Sequence, residues 1–71
     1  MRLYAGKKQQ NYVLTICPKD HLLEAIGVRE GLQVTFITKQ PLGGPVIIRI
    51  KERDIAIDKN LASTIFAEAV A

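Results

Sequence analysis

The chain has 71 residues, ten of them Lys or Arg against seven Asp or Glu, for a net charge of +3 at pH 7. That length admits one domain, residues 1–71, which buries only about 60% of its unfolded surface and gains roughly 3–5 kcal/mol of stability. A lone cysteine excludes an internal disulfide and any paired-cysteine zinc motif, and 48% hydrophobic content without tryptophan points to an aliphatic core.

Residues 1–8 hold no apolar run of signal-peptide length, and no segment approaches the about 18 apolar residues of a membrane span. The expectation is a cytoplasmic protein without direct membrane insertion, in which Cys17 stays a thiol. Residues 1–10 read as a flexible or loosely ordered lead-in, ending in polar Lys7-Lys8-Gln9-Gln10-Asn11. Tyr12-Val13-Leu14-Thr15-Ile16-Cys17 is apolar, β-branched and of strand length, and it stops at Pro18. Pro18 and Asp20 make a helix start, because the Asp20 carboxylate can accept from first-turn amides. Leu22, Leu23, Ala25 and Ile26 are expected to share the buried face of this two-turn helix, and Gly27 ends it as a left-handed residue.

In the next strand Val34, Phe36 and Thr38 alternate with Thr35, Ile37 and Lys39. Pro41-Leu42-Gly43-Gly44-Pro45 then forms a hairpin loop stiffened by proline at both ends. Val46, Ile48 and Ile50 alternate with Ile47, Arg49 and Lys51, Glu52-Arg53-Asp54 turns the chain, and Ile55-Ala56-Ile57 resumes the alternation. Four or five short strands with one small helix fit a small closed or nearly closed barrel. The C-terminal segment carries two readings. Asp58 can cap a helix whose face is Leu61, Ala62, Ile65, Phe66 and Ala69, or a short turn over 59–63 precedes a closing strand, Thr64-Ile65-Phe66-Ala67.

Candidate chemistry is sparse. Cys17, Asp20 and His21 are competent donors for a first-row metal such as ferrous iron, but they give at most three ligands and their spacing does not support a site. Cys17 reads rather as a small hydrophobe at a strand end. Arg49, Lys51 and Arg53 can form a basic stripe for phosphates, yet Glu52 and Asp54 interrupt it and no aromatic residue is interleaved to stack on bases. Catalysis lacks an oriented nucleophile, and Gly43-Gly44 lacks the Lys-Ser/Thr that follows a phosphate loop. The hairpin loop remains: at its tip, Leu42 would offer an apolar side chain on a rigid support, with Arg29, Lys39 and Arg49 setting the charge around it.

These residues resemble the ferrous iron transport protein A (FeoA) domain family. Ile26-Gly27-Val28-Arg29-Glu30-Gly31 matches the family's Leu-Gly-aliphatic-x-x-Gly, with Ile26 for the usual leucine. Pro41, Leu42, Gly43, Gly44 and Pro45 match its Pro-Leu-Gly-Asp/Gly-Pro. Ile55-Ala56-Ile57 and Leu61-Ala62-Ser63-Thr64-Ile65 match the remainder, so the likeness spans residues 20–68. It implies a mainly β, SH3-like five-stranded barrel with one short α-helix and a short helical turn near the C-terminus, in which 65–67 is the closing strand. It also implies a non-enzymatic cytosolic accessory protein that binds the cytoplasmic, GTP-binding part of a ferrous-iron transporter and meets the membrane through it. The SH3-like domain of iron-dependent repressors is similar too, which keeps a nucleic-acid-binding or metal-responsive module as the alternative. The chain departs from the pattern at Glu52-Arg53-Asp54, where the family often has glycine. Its lead-in before the first strand is also short, so closure of the barrel by a second copy, a homo-oligomer, is an expectation.

Overall fold

The computed structural model describes residues 1–70. A 3-10 turn at Leu3–Ala5 leads into β1 (Gln10–Ile16), α1 (His21–Ile26), β2 (Gln33–Lys39), β3 (Val46–Ile50), β4 (Arg53–Ile57), the single-turn α2 (Lys59–Ala62) and β5 (Phe66–Ala69). All strand pairs are antiparallel, in the order β4-β3-β2-β1-β5. This is the expected mainly β, SH3-like arrangement.

Two register shifts bend the sheet into a curl, one between Leu14 and Ile16 and one between Phe36 and Thr38. A bulge adds a residue to one strand and raises the local twist, which brings distant strands round toward each other. The curl encloses the alternating inward residues Tyr12, Leu14, Val34, Phe36, Val46, Ile48, Ile50, Ile57 and Ala67, all buried. Tyr12 and Phe36 meet edge to face, centroids 6.5 Å apart, and the Tyr12 hydroxyl accepts from the Lys7 N–H at 2.9 Å. The largest aromatic thus enters the core with its polar atom satisfied.

The lead-in departs from its expectation as a loosely ordered segment. Leu3 is fully buried, its N–H donates to the Ile65 carbonyl at 2.8 Å, and Met1 and Ala67 exchange hydrogen bonds across the β5 edge. Gly6 lies so close to Phe36 that a Cβ there would stand 2.5 Å from the ring. Residues 1–6 therefore pair along the β5 edge within the chain itself. The physical reason is Leu3: burying one leucine is worth about 1.5–3 kcal/mol, enough to hold a short segment down.

α1 starts as read, with Asp20 Oδ1 accepting from the Leu22 and Leu23 amides at 2.8 and 3.2 Å, and ends at Gly27 with φ 83°. Its buried face is narrower than expected. Leu23 is buried and Ile26 half-buried, whereas Ala25 is exposed and Leu22 is 54% exposed. A six-residue helix meets the sheet along one line, and Leu22 stands about 100° round from Leu23.

At the C-terminal end both readings hold a part. Asp58 Oδ1 caps α2 through the Leu61 amide at 3.1 Å, but the helix stops at Ala62. Ile65 and Ala67 are then buried while Phe66 and Glu68 turn outward, the two-residue period of a strand.

Candidate functional site

The 41–45 loop joins β2 to β3 and is closed at its base by the Gln40 N–H donating to the Pro45 carbonyl at 2.9 Å. Inside it the Gly44 N–H donates to the Pro41 carbonyl at 3.2 Å, while Leu42 and Gly43 hold φ of 60° and 73°. Positive φ at both central residues is the signature of a type I′ turn, whose favoured pair is Asn-Gly. Here the first position is leucine, an aliphatic residue that rarely adopts this conformation. Gly44 has no room for a side chain, because a Cβ would lie 2.8 Å from Gln40 Cβ and 3.2 Å from the Pro41 carbonyl oxygen.

Leu42 is 104% exposed. The loop presents it from a fixed backbone with nothing of the domain against it. Behind it lies a group that the sequence reading did not find. The Tyr4 hydroxyl donates to the Gly44 carbonyl at 3.2 Å, the Lys39 ammonium sits 4.3 Å from the Tyr4 ring centroid, and the Lys59 ammonium is 5.8 Å from it. The ring holds two cations beside the hairpin through its negative face. Lys39 was expected here. Tyr4 and Lys59 were missed because nothing local links positions so far apart; an aromatic residue next to a core leucine was the only hint.

Arg49 does not belong to the loop. It pairs across β3 and β4 with Asp54, Nε to Oδ1 at 2.7 Å and Nη2 to Oδ2 at 3.1 Å. That hydrogen bonding holds the Asp54 carboxyl below its ordinary value and raises the Arg49 guanidinium. The candidate basic stripe is thereby broken. Arg49 is neutralised, and Lys51 leaves the strand for a turn, because β3 and β4 are joined by only Lys51 and Glu52 between the paired Ile50 and Arg53. Glu52-Arg53-Asp54 is therefore not the turn, and Arg53 and Asp54 belong to β4.

Arg29 lies elsewhere. With Lys51, Glu52, Arg53, Ile26, Gly27, Leu32 and Ile50 it lines a cleft of about 630 Å³ between the end of α1 and the β3–β4 turn. The metal-donor candidates do not gather into a site. Asp20 is engaged as the cap of α1, and His21 is exposed. The Cys17 thiol is pushed up by burial and then by Glu30, whose Oε2 accepts from the Cys17 N–H at 3.2 Å. Among the described residues no three His, Cys, Asp or Glu side chains group as metal donors. No helix among them is long and apolar enough to cross a membrane.

No curated protein matches the chain. Solved structures share its fold. The iron(II) transport protein A of Clostridium thermocellum is 24% identical with a TM-score of 0.88, over 99% of this chain and 46% of that one. The FeoA protein of Chlorobium tepidum is 20% identical with a TM-score of 0.86, over 100% of this chain and 71% of that one. ScaR with bound Zn2+ is 18% identical with a TM-score of 0.87, and there the likeness covers 99% of this chain but only 37% of the other. A family model, the FeoA domain, matches residues 1–69. With the turn glycines, the hairpin loop and the curled five-stranded sheet falling where that family's pattern puts them, the chain belongs to the FeoA domain family.

Proposed function

We propose that this protein is a non-enzymatic accessory domain of ferrous iron uptake, binding the cytoplasmic, GTP-binding part of a ferrous-iron transporter through the hairpin loop at 41–45. Membership of the FeoA family suggests a role in ferrous iron transport. The observation that carries the finer reading is Leu42, an aliphatic side chain wholly in solvent on a left-handed residue. A fold gains nothing internally from leucine there, so its chemistry is available to a partner. Pre-ordering by Pro41, Pro45 and the type I′ turn lowers the entropy lost on docking. Lys39 and Lys59 beside Tyr4 favour a partner surface that rims its apolar pocket with carboxylates, which speeds encounter more than it deepens affinity.

The test is direct titration of the domain with the cytoplasmic part of a ferrous-iron transporter from the same source, by calorimetry near physiological salt. Saturable binding that Leu42→Ala weakens by about 1–2 kcal/mol, with the fold unchanged, is expected. Absence of binding would overturn the reading and move the function toward a repressor-like or nucleic-acid module.

A further inference from the structure

The cleft at the far end of β3 from the hairpin loop has its own chemistry. Its floor is apolar: Ile50 is buried, and Ile26 and Leu32 are half-buried, each leaving part of its side chain open to the cleft. Its rim carries Arg29, Lys51 and Arg53, all exposed, against one acidic residue, Glu52. None of these cations is in an ion pair; among the described residues the only one is Arg49 with Asp54. Arg53 Nη2 reaches across to within 3.5 Å of the Ile26 carbonyl, so its guanidinium overhangs the floor.

Lys51 adds a second, independent observation. It holds φ 58° at the first position of a two-residue hairpin turn, where glycine is the inexpensive choice. The backbone strain places an ammonium at the mouth of the cleft, and among the described residues the Lys51 side chain is exposed and makes no ion pair. Strain of this kind at a non-glycine residue is a pointer to function.

We infer that this cleft is a docking site for an acidic peptide segment of a partner protein, one aliphatic side chain of the segment resting on Ile26, Leu32 and Ile50 while its flanking carboxylates meet Arg29, Lys51 and Arg53. The occupant follows from charge and shape together. Three unpaired cations select carboxylates over neutral or basic chains. An apolar floor inside a concave cleft of about 630 Å³ accepts a side chain rather than a bare phosphate. The lining holds no aromatic residue on which a nucleobase would stack. This goes beyond the hairpin-loop reading and does not depend on it: Val46 to Ile50 spans about 13 Å of strand, so two partners, or two segments of one, can bind at once.

The experiment is an NMR titration of the whole isotope-labelled chain, up to ~2 mM peptide. Three capped peptides are used: Glu-Asp-Leu-Leu-Asp-Glu, its amide counterpart Gln-Asn-Leu-Leu-Asn-Gln, and Glu-Asp-Ser-Ser-Asp-Glu. The first is expected to saturate, moving the amides of Gly27, Arg29, Leu32, Lys51 and Arg53. Each control should bind about tenfold more weakly, and so should the acidic leucine peptide against Arg29→Gln/Arg53→Gln. Lys51→Gly should weaken binding while raising thermal stability, which separates loss of a contact from loss of the fold. Leu42→Asn should leave the titration unchanged. No saturable binding of the first peptide overturns the proposal. Equal binding of the serine peptide overturns it too, since the site would then be a charge patch alone. Shifts centred on the 41–45 loop would likewise overturn it.

Discussion

Leucine at position 42 should make the domain less stable than asparagine would, and that is the sharpest consequence of the hairpin geometry. Leu42 has φ 60° and is 104% exposed, so its side chain contributes no burial that a substitution would remove. An L-residue in the left-handed region costs roughly 1–2 kcal/mol, and asparagine escapes much of that. Leu42→Asn creates the Asn-Gly pair that type I′ turns favour, so we expect a gain of about 1 kcal/mol, or about 4–8 °C in Tm for a domain this small. Thermal and urea unfolding followed by circular dichroism measure it. The same substitution removes the proposed apolar anchor, so calorimetry against the transporter's cytoplasmic part should show affinity falling about 5- to 30-fold. The two readouts move in opposite directions, which a residue of the core cannot do. A loss of stability in Leu42→Asn would refute the argument, because leucine would then be packed rather than presented.

The remaining predictions concern the frame that carries the loop and the cleft. Gly6→Ala places a methyl 2.5 Å from the Phe36 ring and should lower the urea midpoint by an amount worth about 1–3 kcal/mol. Asp20→Ala removes the cap of α1 and should cost about 1 kcal/mol in the same assay, with Asp20→Asn retaining most of it. The Cys17 thiol has a folded pKa above its ordinary value, from burial and then Glu30, so at pH 8 iodoacetamide should alkylate it more slowly than in urea-unfolded protein. Because the folded pKa is the higher one, this group's stabilisation is fully present below the unfolded thiol pKa. It is lost as pH rises through the folded value, so stability should decline on the alkaline side in wild type and less in Cys17→Ala.

The parts of the fold that sequence reading recovered are those with a local cause. Asp20 caps its helix through amides two and three residues on, Gly27 terminates the helix on its own backbone, and Val46, Ile48 and Ile50 alternate because one sheet face is dry. What it missed is set by partners far along the chain. Residues 1–6 are held by Ile65, Ala67 and Phe36, and Tyr4 reaches the hairpin at Gly44. The β3–β4 turn starts one residue earlier and ends two residues earlier than the sequence suggests, for a related reason. Polar Glu52-Arg53-Asp54 has turn composition, but the ladder pairs Val46 with Ile57, Ile48 with Ile55 and Arg49 with Asp54. A slip of one residue would carry Ile57 off the core face, so burial fixes the register and leaves only Lys51 and Glu52 to turn.

Among the described residues three non-glycine residues hold positive φ, and comparing them separates strain that serves the fold from strain that serves something else. At Gln9, φ 63°, the N–H donates to the Phe36 carbonyl at 2.7 Å, and the turn it makes sets Lys7 N–H on the buried Tyr12 hydroxyl. There the conformation is offset inside the domain, and glutamine is a bystander on it. At Leu42 and Lys51 the turn would form as well or better with asparagine or glycine, and neither side chain touches the core. What distinguishes these two positions is what they project: an aliphatic group at one end of β3, an ammonium over a half-apolar cleft at the other. A domain of this size has little stability to spare, so two such residues at the two ends of one strand support the proposal that both surfaces serve docking.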